Sequence, residues 1–193
     1  ALPILFADVA RMPFEKAQAE GLIAYISKET VDAFIQAVSK ETLCEAGMKK
    51  DITIVYTPLN GAGGYCVRRA LKENGFLNVF VVKEQEMPDG CFPTCPYPNP
   101  EIEKTMELGI RDAKRLGCDL LLATDPDCDR VGVGVKSGCE YLLLSANEIG
   151  MLLLEYICKQ RSASGNMPCR PLMMKTIVTI DMAERIASEY GVD

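Results

Sequence analysis

Apolar residues along the chain follow two periodicities, and the change between them predicts helices and strands. Apolar positions three and four residues apart predict amphipathic helices, whereas short runs of β-branched and aliphatic residues predict strands. The predicted helices are residues 29–50, 63–75, 101–117, 145–161 and 182–191. The predicted strands are residues 51–58, 78–84, 118–125, 130–136, 139–145 and 172–181.

Local signals mark the ends of several of these elements. Gly47 predicts the end of the first helix, and five prolines between residues 87 and 101 predict a loop. Ser145, with Glu148 three residues later, forms the pattern of a helix-starting capping box. These boundaries separate the elements cleanly enough to read their order along the chain.

The order of the elements predicts an α/β fold, with a layered, mixed and mostly parallel sheet flanked by helices. After residue 144 the pattern restarts but supplies only one helix, one strand and one helix, which predicts an incomplete second α/β unit. We therefore expect a lead-in segment from a preceding domain at 1–28, a complete domain at 29–144 and the beginning of a further domain at 145–193.

Composition and charge argue against some classes of partner. The chain is 48% hydrophobic and 25% charged, which is typical of a soluble globular protein. Its net charge of −6 argues against nucleic acid as a partner, and no apolar run reaches the roughly 18 residues of a membrane span. The nine cysteines are scattered, apart from Cys91 and Cys95, and there is no histidine. Reduced thiols and a cytoplasmic location are therefore favoured over a zinc site.

A glycine-rich turn joins a predicted strand to a predicted helix. Gly61 and Gly63 would let backbone N–H groups approach an anion at the helix N-terminus, and Glu84 ends the next strand, where an acid that binds ribose belongs. Cys66 stands in place of the third glycine of the dinucleotide fingerprint. Two hypotheses stay open: a nucleotide- or dinucleotide-binding module, and a tight structural turn that needs positive φ.

Three aspartates at alternate positions follow an apolar run. In an extended segment Asp125, Asp127 and Asp129 would point the same way, so their carboxylates would converge at the end of a strand. Such oxygen ligands suit Mg²⁺ or Mn²⁺, and Arg130 adds a planar cation that can hold a phosphoryl group. The alternative is a solvated acidic turn in which Arg130 pairs with one aspartate.

Four segments together resemble a known family. They are TPLNGAGG at 57–64, PNPE at 98–101, ATDPDCDRVGVGV at 123–135 and LLSANEIGMLLLEYI at 143–157. Their order and spacing resemble the α-D-phosphohexomutases, the phosphoglucomutase/phosphomannomutase group, over essentially the whole chain. Asn60 departs from the histidine that this family usually has in the first segment.

The resemblance implies the second domain and the start of the third domain of a four-domain enzyme. It implies that Asp125, Asp127 and Asp129 bind Mg²⁺, or Mn²⁺ in its place, that Arg130 is a catalytic contact near the phosphoryl group, and that the glycine-rich turn is structural. The implied enzyme moves a phosphoryl group between the 1- and 6-position of a sugar phosphate, or the 5-position of a pentose, through a phosphoserine and a bisphosphate intermediate.

The phosphorylated serine of that family is expected outside this sequence. The chain alone is therefore expected to be inactive, with the other domains of the same chain and a sugar phosphate as its partners. A non-catalytic domain that binds metal or sugar phosphate remains a further alternative.

Overall fold

The computed structural model describes residues 9–43 and 50–193. The helices are α1 (Phe14–Ala19), α2 (Lys28–Lys40), α3 (Gly64–Glu73), α4 (Glu103–Leu116), α5 (Ala146–Ala163) and α6 (Met182–Glu189). The strands are β1 (Ile54–Thr57), β2 (Val79–Val81), β3 (Leu120–Thr124), β4 (Val131–Ser137) and β5 (Glu140–Leu144). The first predicted helix thus ends earlier than expected, and its predicted stop at Gly47 lies outside the described residues.

The five strands form one mixed sheet in the order β2–β1–β3–β4–β5. β1 pairs in parallel with β2 and β3, whereas the β3–β4 and β4–β5 pairs are antiparallel. The predicted mixed sheet with flanking helices is confirmed, but half of its pairings, rather than most, are parallel. The connections after β3 and β4 are short, so they form hairpins and cannot make the long crossover that a parallel pair needs.

Parallel pairing of β1 and β3 determines where the glycine-rich segment and the aspartate-containing segment lie. The register places Thr57 beside Ala123, so both strands end at the same edge of the sheet. The turn that follows each strand therefore begins at that edge. This juxtaposition is what the α/β topology contributes to the site.

Helix α4 packs on the sheet and closes the main hydrophobic core. Its Met106 and Ala113 are fully buried in a cluster with Val55 and Leu121 of the two central strands. Gly109 permits this contact, because a Cβ there would lie 2.6 Å from Leu121 Cδ1. Burying each large aliphatic side chain contributes roughly 1.5–3 kcal/mol, so this packing fixes the strand that leads into the aspartates.

Helix α5 begins with the predicted capping box. Ser145 Oγ accepts a hydrogen bond from the Glu148 amide at 3.3 Å, and Glu148 Oε2 accepts one from the Ser145 amide at 2.7 Å. These reciprocal bonds satisfy amides that the first helical turn leaves without partners. The prediction of the box from the sequence is confirmed.

The strand predicted at 172–181 is wrong. The segment is irregular, and Met174 and Ile177 are 87% and 103% exposed. A strand needs a neighbouring backbone to pair with, and none of the described strands pairs with this segment. The Met173 amide instead donates to the Asp193 carbonyl. Apolar composition alone therefore did not specify a strand, whereas the helix predicted after it is confirmed as α6.

Two predictions made from composition can be compared with the described part of the chain. The eight cysteines in it are free thiols, as expected, and Cys44 lies outside the described residues. Within those residues, none of the helices has both the length and the apolar character that crossing a bilayer requires. The predicted domain boundaries at 28/29 and 144/145 stay predictions.

Candidate metal centre

The three aspartates lie in the turn between β3 and β4, residues 125–130, which we call the acid loop. Asp125 is fully buried, whereas Asp127 and Asp129 are exposed. One carboxylate oxygen of each residue lies within 4.8 Å of those of the other two. The structure thus brings together the three side chains that the sequence singled out.

The acid loop is folded as a tight turn and is not extended. The Cys128 amide donates to the Asp125 carbonyl at 3.0 Å, and Cys128 adopts a left-handed φ of 65°. The three carboxylates therefore meet because the chain folds back on itself. The sequence predicted correctly that these three carboxylates meet. The predicted cause, alternation along an extended segment, is wrong.

Arg130 holds Asp125 through both of its carboxylate oxygens. The Arg130 amide donates to Asp125 Oδ1 at 2.9 Å, and Arg130 Nε donates to Oδ2 at 2.8 Å. Burial acts to raise the pKa of Asp125, but the hydrogen bonds from the Arg130 backbone and side chain outweigh it, so the pKa lies below its ordinary value. Asp125 is consequently ionised at neutral pH despite its burial.

The contact between Arg130 and Asp125 is the one described by the acidic-turn alternative. It coexists here with the cluster of three carboxylates, so one arrangement does not exclude the other. The Arg130 side chain is 53% exposed, and its Nε also lies 3.7 Å from Asp129 Oδ1. The guanidinium therefore sits at the rim of the acid loop, where a solvent-borne anion can reach it.

Negative charge in the acid loop is only partly compensated. The charges of Asp127 and then Asp125 raise the pKa of Asp129 above its ordinary value, and the charge of Arg130 offsets this only in part. Repulsion of this kind is relieved when a cation binds between the carboxylates. The electrostatics of the loop therefore favour cation binding.

The glycine turn, residues 58–63, packs directly against the acid loop. A Cβ at Gly61 would lie 2.4 Å from Pro126 Cα, and a Cβ at Gly63 would lie 2.8 Å from both Thr124 Oγ1 and Cys128 Sγ. Glycine is required at these two positions because the two turns approach too closely to leave room for a Cβ. The expectation of positive φ at the glycines is wrong, since the left-handed residues of the turn are Leu59 and Asn60.

The two groups that the dinucleotide hypothesis requires, a backbone amide of the glycine turn and the Glu84 carboxylate, already have partners within the chain. The Ala62 amide, which would face a phosphate, donates to the Pro126 carbonyl at 2.8 Å. The Glu84 carboxylate, which would bind ribose, pairs with Arg111 Nη2 at 2.8 Å, and a backbone hydrogen bond together with this contact lowers its pKa. The turn is therefore built to hold the acid loop of its own chain.

Asn60 has a structural role that the sequence did not reveal. It is 5% exposed, and its Nδ2 donates to the Met87 carbonyl at 2.9 Å. Its amide donates to the Gln85 carbonyl at 2.9 Å. Asparagine tolerates a left-handed backbone better than most residues, so it suits this position. The side chain thus holds the segment after β2 through its hydrogen bonds.

Two further residues lie beneath the acid loop, and neither of them was assigned a functional role from the sequence. Tyr56 of β1 is fully buried, and its hydroxyl lies 2.8 Å from Thr124 Oγ1, next to Asp125 in the chain. Tyr56 and Thr124 lie on the same face of neighbouring strands, given the register of β1 with β3. The signal in the sequence would have been a tyrosine near the end of one apolar strand and a threonine at the end of another.

Comparison with known proteins shows which family this chain resembles. The sequence model for phosphoglucomutase/phosphomannomutase, alpha/beta/alpha domain II, matches residues 32–138. A phosphoglucomutase of Staphylococcus saprophyticus is 32% identical over 187 residues, which cover 96% of this chain and 33% of that protein. A phosphoribomutase of Saccharomyces cerevisiae is 36% identical over 190 residues, which cover 91% and 30% respectively.

The fold recurs in a solved structure of a phosphoglucomutase/phosphomannomutase family protein from Burkholderia thailandensis. The two share 18% sequence identity with a TM-score of 0.65, over 93% of this chain and 36% of the other. The chain thus spans about a third of the length of the relatives that it matches. On the strength of the match over residues 32–138, this chain belongs to the phosphoglucomutase/phosphomannomutase family and contains its domain II.

Proposed function

We propose that the protein containing this chain is a magnesium-dependent sugar-phosphate mutase, and that this chain supplies the metal-binding acid loop. The observation that carries the proposal is the meeting of three carboxylates within 4.8 Å at the edge of the sheet. The names of the relatives, phosphoglucomutase and phosphoribomutase, support the class of substrate.

The donor set of the acid loop fits Mg²⁺ or Mn²⁺. Asp125, Asp127 and Asp129 offer hard oxygen ligands from one short segment, and such cations prefer oxygen and retain open positions for water or a phosphate oxygen. Asp125 is fixed by Arg130, whereas the exposed Asp127 and Asp129 face solvent. When bound, the cation would act as a Lewis acid on a phosphoryl group during transfer.

In the proposed reaction a phosphoryl group leaves a serine outside this chain and joins a sugar hydroxyl. The bond between phosphorus and the serine oxygen breaks as the bond to the sugar oxygen forms, and the released serine oxygen gains the proton that the sugar hydroxyl loses, giving a bisphosphorylated sugar. The other phosphoryl group then returns to the serine, which completes the exchange between the 1- and 6-position, or the 5-position of a pentose. The three aspartates stay in place throughout.

Arg130 is the residue of this chain that we assign to the phosphoryl group. Its Nε and amide are engaged by Asp125, while more than half of the side chain is exposed. The guanidinium carries further N–H donors in its plane, and these suit the oxygens of a phosphoryl group. The loose, anionic transition state of phosphoryl transfer gains from such a fixed positive charge.

A coupled mutase assay on the complete protein tests this proposal. Glucose 1-phosphate, mannose 1-phosphate, glucosamine 1-phosphate and ribose 1-phosphate are each supplied with a bisphosphate primer, with and without Mg²⁺. We expect Mg²⁺-dependent turnover of at least one of them, and no turnover from residues 1–193 alone. A folded complete protein that turns over none of these sugars, or an active isolated chain, would contradict the proposal.

The dinucleotide alternative has its own direct test. Titration of the complete protein with NADH, followed by fluorescence, should give no saturable binding, because the Pro126 carbonyl and Arg111 already occupy the groups involved. Saturable NADH binding that is lost in Glu84→Gln would instead favour the dinucleotide-binding module.

A further inference from the structure

A buried contact between two hydroxyl groups lies directly beneath the acid loop. Tyr56 is 0% exposed and Thr124 is 7% exposed, and their hydroxyl oxygens are 2.8 Å apart. Thr124 is the last residue of β3 and is bonded through its carbonyl carbon to Asp125. A change in the position of the Thr124 side chain is therefore transmitted at once to the first residue of the loop.

The same phenol hydroxyl lies near the other half of the acid loop. A Cβ placed on Gly63 would lie 2.7 Å from Tyr56 Oη and 2.8 Å from both Thr124 Oγ1 and Cys128 Sγ. These three atoms therefore crowd one small space under the start of α3. Cys128 stands between Asp127 and Asp129 in the chain, so the phenol hydroxyl has neighbours on both sides of the turn.

The electrostatic state of Tyr56 suits a supporting role. Burial raises the pKa of its phenol to about 12, with the hydrogen bond to Thr124 acting in the opposite direction. The phenol thus keeps its proton throughout the neutral range and adds no negative charge beside the three carboxylates. Its ring has two side-chain torsions and is enclosed, so it offers a rigid support.

We propose that Tyr56 is a positioning residue for the acid loop, holding Thr124 and Cys128 so that the three carboxylates stay within reach of one cation. The proposal rests on the proposed function, since the site it concerns is the metal site assigned there. Its consequence is that loss of the phenol hydroxyl weakens metal binding by a route that touches no metal ligand.

The chain offers a matched control for this residue. Tyr141 of β5 also donates a hydrogen bond through its hydroxyl, to the Cys118 carbonyl, which precedes the opposite end of β3. Tyr56→Phe and Tyr141→Phe therefore each remove one hydroxyl and one hydrogen bond from the same sheet. Only the first change lies under the acid loop.

The test is made on the complete protein, with Mn²⁺ as the probe. The affinity for Mn²⁺ is measured by electron paramagnetic resonance of the free ion, and melting temperatures are measured in chelator. Partners that orient metal ligands typically change metal affinity 10- to 100-fold when removed. We expect Tyr56→Phe to weaken Mn²⁺ binding about tenfold, and Tyr141→Phe to lower the melting temperature without changing the affinity.

Substitutions at Thr124 give a second route that does not depend on how Tyr56→Phe folds. Thr124→Ser keeps the hydroxyl and should retain near-normal Mn²⁺ affinity, whereas Thr124→Val keeps the shape and should weaken it. Combining Thr124→Val with Tyr56→Phe should add little, because both remove the same contact. In turnover, Tyr56→Phe should lower kcat with little change in the KM for sugar phosphate.

The outcomes separate this inference from the proposed function. Equal Mn²⁺ affinity in Tyr56→Phe, Tyr141→Phe and wild type, or equal affinity in Thr124→Val and Thr124→Ser, would overturn the positioning role alone. Wild-type protein that binds no Mn²⁺ and has no turnover would overturn the proposed function and, with it, the site that Tyr56 is proposed to position.

Discussion

The backbone amide of Ala62 donates a 2.8 Å hydrogen bond to the carbonyl oxygen of Pro126. This bond joins the glycine turn after β1 to the acid loop after β3. Two motifs that are more than 60 positions apart in the sequence therefore form one unit at the edge where two parallel strands end. This contact ties the acid loop to the turn beside it.

Gly61→Ala should damage that unit specifically. The added Cβ would stand 2.4 Å from Pro126 Cα and 2.6 Å from the Pro126 carbonyl oxygen, which are backbone atoms and cannot rotate away. Overpacking of this kind costs roughly 1–3 kcal/mol. We expect a lower melting temperature and weaker Mn²⁺ binding, measured on the complete protein.

Gly90→Ala is the control for that change, because a Cβ there meets nothing within 4 Å. It should leave both the melting temperature and Mn²⁺ affinity close to those of wild type. If Gly61→Ala matched this control in both measurements, the close packing of the two turns would not matter to the site.

Asp127→Asn in the complete protein should lower kcat by about 10²–10³, the loss typical when one fixed electrostatic contribution is removed from a transition state. Asp127 is exposed, so the substitution should leave the fold intact. The measurement is steady-state turnover at saturating sugar phosphate and Mg²⁺, with circular dichroism to check folding.

Glu107→Gln on α4 is a suitable comparison for Asp127→Asn, since it also neutralises an exposed carboxylate but lies outside the acid loop. The Glu107→Gln variant should have a kcat close to that of the wild type. Near-normal kcat in Asp127→Asn would return the three aspartates to the status of a solvated acidic turn.

Arg130→Ala should destabilise the metal-free protein in a pH-dependent way. In the wild type the folded-state pKa of Asp125 is lowered, so its contribution to stability is present above the unfolded pKa, about 3.9, and is lost as the pH falls through the folded value. Without the Arg130 side chain, burial is opposed by fewer contacts, chiefly the backbone amide at position 130, so the pKa of Asp125 is higher than in the wild type. The stability difference between wild type and Arg130→Ala should therefore be largest at neutral pH and shrink in acid.

Thermal melting in chelator at pH 7 and at about pH 4 measures this difference. Arg130→Lys keeps the charge but lacks the planar Nε donor. It should therefore lower the stability at pH 7 by less than Arg130→Ala does. A stability difference that grew as the pH fell would show that Arg130 does not sustain the charge of Asp125.

Much of the fold could be predicted because its signals are local. The strands around Val55 and Leu121 are buried apolar runs, and the Ser145 box marks its helix within four residues. The strand predicted at 172–181 failed because strand formation needs a partner backbone, which a single segment does not encode. Whether neighbouring strands pair in parallel or antiparallel likewise depended more on the length of the connection between them than on their apolar pattern.

The meeting of the three carboxylates was predictable from the sequence, whereas the contacts that support them were less so. Asp125, Asp127 and Asp129 stand out in the sequence because carboxylates interrupt an apolar run. The roles of Tyr56 and Asn60 depend on contacts across 68 and 27 positions, and neither residue type is unusual in its local context. Such contacts become visible only after the parallel register has brought the two turns together.

The most direct test of the account is a Mn²⁺ titration of the complete protein, comparing wild type with Asp127→Asn. We expect a single saturable Mn²⁺ site in the wild type, competed by Mg²⁺, and its loss or severe weakening in the variant. Wild-type protein without such a site, or equal binding in both proteins, would contradict the claim that the acid loop holds the catalytic cation.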